Sequence, residues 1–155
     1  MALAVGIPAP PFRLLSQNRE FVELADLVGS QLMLVFMPFA FTRTCGSEMC
    51  SLRDNLDSLQ SKGAKVVVIT CDTHNSNRVW AEQQGFTFPI LSDFWPHGKV
   101  ATAYDSFNEQ YGYATRTTYL IDALGIITEV IASEDLRTPR DSAAYEAALG
   151  LELQV

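Results

Sequence analysis

Two histidines and three cysteines are the only imidazole and thiol side chains in this 155-residue chain. No Cys-x-x-Cys pair occurs, so the spacing of a zinc ribbon or of a dithiol redox motif is lacking. Positive charge is also scarce. Eleven Lys and Arg stand against 18 Asp and Glu, a formal net charge of −7, and no window gathers basic residues into a patch. Without such a patch nothing would neutralise a phosphate backbone or an anionic bilayer, so no nucleic acid and no membrane is expected as a partner. No apolar run approaches the ~20 residues of a membrane-spanning helix. The N-terminal Met-Ala-Leu-Ala-Val-Gly lacks the charged start of a secretion signal. An odd number of cysteines without framework spacing fits a reducing compartment, where thiols are reactive or buried rather than bridged. The expected location is cytoplasmic.

What the chain does have is apolar content, 48% of its residues. At this length a chain buries roughly two-thirds of its unfolded surface, and one domain over 1–155 is expected. Pro8, Pro10 and Pro11 mark an irregular N-terminal segment leading to a short strand at 12–15. A second extended piece follows at 21–24, then a turn of helix at 25–28 stopped by Gly29. Residues 32–37 form an unbroken apolar run of strand length, as in a strand covered on both faces. Met49, Leu52, Leu56 and Leu59 recur at helical spacing and predict an amphipathic helix from Ser47 to about Ser61. Further on, the patterns predict strands at 65–70 and 88–91, helices at 76–84 and 99–104, a strand–turn–strand across 117–131 and a closing helix at 143–149. Strands alternating with helices and ending in a hairpin imply an α/β fold, a central mixed sheet with helices on both faces.

Cys45 falls where a loop meets the first turn of the helix after the apolar strand. The first amides of a helix lack intrahelical partners and carry the positive end of its dipole, which favours a thiolate over a thiol. A cysteine so placed can fall below its free pKa of about 8.5 and become nucleophilic. The acidic net charge of the chain opposes an anion, so local amides, hydroxyls and a cation have to supply the stabilisation. Thr42, three residues before Cys45, has a hydroxyl that both donates and accepts. Pro38 has no amide hydrogen and can fix and shield the loop. Chance could supply this spacing, and a lone cysteine is commonly just a small buried residue.

Several separate stretches carry a resemblance to a known family. The pattern Pro38-x-x-x-Thr42-x-x-Cys45 resembles the peroxiredoxin signature, and Val5-Gly-Ile-Pro-Ala-Pro-Pro-Phe12 resembles the N-terminal segment of that family. Residues 85–98, Phe107-Asn-Glu109 and Arg116-x-Thr-Tyr are similar to the alkyl hydroperoxide reductase E type of one-cysteine peroxiredoxin. The resemblance implies a thioredoxin-like fold with an N-terminal extension and a thiol-dependent peroxidase acting on hydrogen peroxide, organic hydroperoxides or peroxynitrite. It implies Cys45 as the peroxidatic cysteine, oxidised to a sulfenic acid, Thr42 as the residue orienting the peroxide, Pro38 as the shield and Arg116 as the cation. Arginine suits that place because it stays charged and donates several hydrogen bonds to the developing charge. No cofactor is implied. Glu48 is a further candidate, to order the helix start or hydrogen-bond the pocket.

Cys50 departs from the one-cysteine pattern. Another peroxiredoxin group, the Q type, resolves its sulfenic acid with a cysteine at this interval, which makes Cys50 a candidate resolving thiol. On one ideal helix, positions 45 and 50 have Cα atoms about 8–9 Å apart, beyond the roughly 7 Å limit of a disulfide, so resolution would require the first turn to unwind. The plainer alternative is a small packed residue. The implied reductant is a low-molecular-weight thiol with a mycoredoxin-like partner, or thioredoxin if Cys50 resolves. A homodimer with aromatic residues near the active-site loop at its interface is also implied. Cys71 reads as buried at a strand end, and Trp80 and Trp95 as core or interface residues. Two other classes share these residues. A thiol–disulfide oxidoreductase lacks its Cys-x-x-Cys here, while a peroxide-sensing switch or holdase-type binding protein would use the same Cys45.

Overall fold

A computed structural model of the chain describes residues 2–133 and 138–150, with Cys45 described by its backbone alone. Nine strands and six helices follow in order among these residues: β1 (Arg13–Ser16), β2 (Phe21–Glu23), α1 (Leu24–Leu27), β3 (Gln31–Phe36), α2 (Arg43–Asp54), α3 (Leu56–Ser61), β4 (Ala64–Thr70), α4 (His74–Gln84), β5 (Ile90–Ser92), α5 (Lys99–Ala103), β6 (Phe107–Asn108), β7 (Tyr113–Ala114), β8 (Thr117–Ile121), β9 (Ile127–Ala132) and α6 (Ser142–Leu149). Seven strands form one sheet in the order β2-β1-β5-β4-β3-β8-β9, and β6 with β7 makes a separate small ribbon. The β3–β4 and β4–β5 pairs are parallel, while β1–β2, β1–β5, β3–β8 and β8–β9 are antiparallel. This is the mixed sheet of a thioredoxin-like fold.

The central place of β3 follows from its composition. A strand's side chains alternate between faces, and both faces of β3 are apolar. Leu32, Leu34 and Phe36 enter one core with Leu24 and Leu27 of α1 and Val100 and Ala101 of α5. Met33, Val35 and Met37 enter the other with Met49 and Leu52 of α2, Leu59 of α3, Trp80 of α4 and Tyr145 of α6. Residues 32–37 are fully buried, each contributing about 1.5–3 kcal/mol of transfer free energy when its side chain is that large. The N-terminal segment borders this sheet, with Gly6 N–H donating to Ile127 O and Ala9 N–H to Gly125 O. Gln17, buried in the loop after β1, fixes the start of β5 through its side-chain amide, donating to Phe88 O and accepting from Ile90 N–H.

Two features differ from the periodicity. The amphipathic stretch is not one helix from Ser47 but two, beginning at Arg43 and interrupted at Asn55. Asn55 donates from its side-chain amide to Ser51 O at 2.7 Å. Such local side-chain bonding competes with regular helix continuation. The β6–β7 ribbon lies outside the periodic pattern, its two-residue strands being too short to carry a period. Of the tryptophans, Trp80 is core and Trp95 is 82% exposed. Among the described residues no helix is long and apolar enough to cross a membrane.

Candidate active site

β3 and β4 run parallel and end at the same edge of the sheet, with Phe36 level with Ile69. One further backbone bond, Met37 N–H to Ile69 O at 2.9 Å, extends the ladder before the two chains part. The chain then crosses residues 38–42 into α2. Pro38 is buried at the start of this loop and Thr42 is exposed at its end. Thr42 is the N-cap residue of α2 in extended conformation, and its carbonyl accepts from Gly46 N–H at 2.8 Å. Its hydroxyl caps no amide and instead donates to Phe39 O at 3.4 Å, which leaves the first turn of α2 uncapped by that side chain. The backbone of Cys45 lies in this turn.

The loop holds a strained residue. Phe41 has φ 65°, in the left-handed region that costs a side-chain-bearing residue roughly 1–2 kcal/mol. Its ring lies 6.1 Å from that of Trp80, and the neighbouring Phe39 ring lies 5.2 Å from Tyr113. Ala40 N–H, between the two rings in sequence, donates to the Asp72 carboxylate at 2.9 Å.

Sheet register brings Arg116 to this place. β8 runs antiparallel to β3 with Phe36 opposite Thr117, so the residue before Thr117 comes level with Met37. Arg116 is buried, and its Nη1 lies 2.8 Å from Glu48 Oε1 in the second turn of α2. The other oxygen of Glu48 lies 2.9 Å from Nη2 of Arg140, which is buried just before α6. Arg140 Nη1 donates to Phe36 O at 2.8 Å, and its Nη2 lies 3.1 Å from Met37 Sδ. Two guanidiniums therefore share one carboxylate, a formal surplus of one positive charge among these three groups beside the first turn of α2. Burying such charges is costly unless they are paired and hydrogen-bonded. Tyr145 of α6 closes the far side, its hydroxyl against that of Thr118, and burial pushes its phenol pKa up.

Thus Pro38, Thr42 and the backbone of Cys45 lie on the connection from β3 into α2, and Arg116, level with Met37, pairs with Glu48 one turn farther along that helix. Arg140 and Met37 join them without any motif in the sequence that marks either. Arg140 follows Thr138-Pro139 and precedes a helix, and nothing local distinguishes it from a surface arginine. Cys50 lies on the same continuous helix as Cys45, half-buried against the second core, with Sγ 3.8 Å from Gln84 Oε1. Cys71 is buried past the end of β4. Burial foremost, then the neighbouring Asp93 and Asp72 carboxylates, pushes its thiol up to about 12 against a partly opposing hydrogen bond from the Ala114 backbone. His97 bridges Phe94 O at 3.0 Å and Gly112 O at 2.7 Å, a loop-fixing role.

Comparison with known proteins fits this geometry. A family model described as the AhpC/TSA family matches residues 5–130. The chain is 45% identical over 126 residues to alkyl hydroperoxide reductase E of Mycobacterium tuberculosis, covering 81% of this chain and 82% of that one. It is 33% identical over 134 residues to a putative peroxiredoxin of Haemophilus influenzae, covering 83% and 85% of the two chains. Among solved structures, peroxidoxin BcpB of Mycobacterium tuberculosis superposes with a TM-score of 0.84 at 28% identity over 96% of this chain and 95% of that one. Relatives named for peroxide reduction do not favour a sensor or holdase over an enzyme. The chain belongs to the AhpC/TSA family, the peroxiredoxins, and is a thiol-dependent peroxidase of thioredoxin-like fold.

Proposed function

We propose that Cys45 is the peroxidatic nucleophile, with Thr42 orienting the peroxide, Pro38 shielding the pocket and Arg116 stabilising the developing charge. The observation that carries this reading is the ion pair of the buried Arg116 with Glu48 at 2.8 Å, which ties its guanidinium to the residue one helical turn after Cys45. Its positive charge and the amides of the helix start favour the thiolate. The thiolate attacks one peroxide oxygen in line with the O–O bond. A sulfur–oxygen bond forms, the O–O bond breaks, and its electron pair leaves with the distal oxygen, which takes a proton to become water or an alcohol, or, from peroxynitrite, departs as nitrite. Cys45 is left as a sulfenic acid. Hydrogen peroxide, organic hydroperoxides and peroxynitrite are the substrate class.

Recycling consumes two thiol equivalents. The first displaces water from the sulfenic acid to give a mixed disulfide, and the second releases reduced Cys45. The likeness to alkyl hydroperoxide reductase E supports an external low-molecular-weight thiol with a mycoredoxin-like partner. The unbroken helix between residues 45 and 50, with Cys50 packed against the core beside Gln84, supports the same choice. For Cys50 to resolve, and thioredoxin to serve, the start of α2 has to unwind. One domain over 1–155, a homodimer joined near the aromatic edge of the site and a cytoplasmic location complete the proposal. The exposed Phe41, Phe94, Trp95 and Tyr111 support the interface.

The test is one equivalent of hydrogen peroxide on the reduced protein, quenched quickly and mapped by mass spectrometry. Gain of one oxygen or of a sulfenic-acid trap confined to Cys45 is expected. A Cys45–Cys50 disulfide would overturn the external-thiol choice, and oxidation elsewhere with Cys45 untouched would overturn the site.

A further inference from the structure

The loop of residues 38–42 has to keep Thr42 and the first turn of α2 in place while carrying Phe41 at a positive φ of 65°. A residue in that region stays there only where its surroundings hold it. The β3–β4 ladder ends with Met37 N–H on Ile69 O. Three residues farther along each chain, Ala40 N–H meets Asp72 Oδ2 at 2.9 Å. This side-chain bond continues the cross-strand tie after the backbone ladder has ended, and it holds the residue immediately before Phe41.

The backbone that presents Asp72 is fixed on both sides. Ser92 at the end of β5 donates its hydroxyl to Asp72 O at 2.6 Å, and Asp72 N–H donates to Thr70 Oγ1 at 3.2 Å. Thr70 Oγ1 in turn donates to Asn77 Oδ1 at 3.1 Å within the buried start of α4. The carboxylate therefore stands on a frame built from β4, β5 and α4, none of which contributes the residues proposed for the chemistry. An ionised acceptor makes a shorter and stronger bond to an amide than a neutral one, which suits a tether that opposes backbone strain.

We propose that Asp72 is a positioning residue of the peroxidase site, holding the Ala40 amide so that Thr42 and the Cys45 turn keep their reactive arrangement. The inference rests on the Cys45 reading above. It predicts that Asp72→Ala lowers the second-order rate constant for peroxide reduction by about tenfold and raises the apparent pKa of the Cys45 thiol. Asp72→Asn, which retains an acceptor oxygen, restores most of that rate. A purely structural role elsewhere would shift the melting temperature without moving the Cys45 titration.

The experiment is stopped-flow peroxide reduction and thiolate absorbance against pH for the wild type, Asp72→Ala, Asp72→Asn and Cys45→Ser. It is paired with amide hydrogen exchange at Ala40 in the wild type, which needs no variant to fold. Supporting results are a slowed Ala40 amide, a slower Asp72→Ala with a raised Cys45 pKa, and recovery in Asp72→Asn. An Ala40 amide exchanging at the free-loop rate, or Asp72→Ala reacting as fast as the wild type with the Cys45 titration unmoved, overturns the proposal. An Asp72→Asn as slow as Asp72→Ala overturns the tether as well. If Cys45→Ser is inactive and Asp72→Ala is not slowed, only the tether fails; full activity in Cys45→Ser removes the reading beneath it.

Discussion

Two cysteines follow two adjacent parallel strands that end at the same edge of the sheet, and their surroundings differ in sign. After β3 the chain makes a six-residue connection and enters a helix, so that Cys45 lies in its first turn, three residues before Glu48 of the Arg116–Glu48–Arg140 cluster. After β4 Cys71 comes at once, still inside the core, with Asp72 and Asp93 nearby. The first position is on a helix start whose N-cap side chain bonds no amide, three residues before the carboxylate that two guanidiniums share; the second is among apolar side chains and carboxylates. Thiolate chemistry is thus a property of where the strand lets go of the sheet and of which charges gather there, not of the thiol itself. On the proposed assignment, a helix start and a pair of buried guanidiniums set Cys45 apart from Cys71.

The contrast breaks most sharply by substitution. Cys45→Ser is expected to lower peroxide reduction by on the order of a thousandfold or more, whereas Cys71→Ala leaves it within about twofold. Peroxide consumption by the two purified variants measures the difference, and equal losses would erase the contrast. Next in size is the charge cluster. Glu48→Ala removes the carboxylate shared by two buried guanidiniums and is expected to destabilise the fold by about 3–5 kcal/mol, read from the shift of the urea midpoint. A loss below about 1 kcal/mol would mean that the arginines remain solvated.

The Cys71 side of the contrast is testable through pH. With the folded thiol raised to about 12, the unfolded chain ionises first as pH climbs. Stability attributable to Cys71 is therefore complete below the unfolded value of about 8.5 and is lost as pH rises toward 12. The steepest slope is about 1.4 kcal/mol per pH unit. Burial also raises the Tyr104 phenol, so Cys71→Ala should flatten this decline without abolishing it. Chemical denaturation at several pH values between 8 and 11 reads the slope of each protein. The smallest effect is expected at Cys50. Cys50→Ser should leave the first oxidation of Cys45 within about twofold and stability within about 1 kcal/mol. Accumulation of over-oxidised Cys45 only in the variant would instead identify Cys50 as a resolving thiol.

The helix boundaries show where local reading stops. Leucine and methionine spacing places the helix after the loop, but its break at Asn55 depends on a side-chain bond to Ser51 O that periodicity does not encode. The β6–β7 ribbon has no periodic signal in two-residue strands. It exists because Tyr113 and Phe107 find neighbours elsewhere, Tyr113 against Phe39 and Phe107 against His97.

By itself the sequence determined the central strands, through apolar runs that bury on both faces, and the proximity of Pro38, Thr42 and Cys45, which eight consecutive positions hold together. It also determined the family, through motifs spread along the chain. Only the tertiary structure decided what stands opposite that loop. Arg116 arrives by antiparallel register against β3, Arg140 by the return of the chain before α6, and Asp72 by the parallel neighbour β4. The contacts that bring Asp72 to Ala40 and Arg140 to Phe36 span 32 and 104 residues of chain. Contacts over such distances are set by which strands pair and in what register, and no local pattern of residue types records that choice.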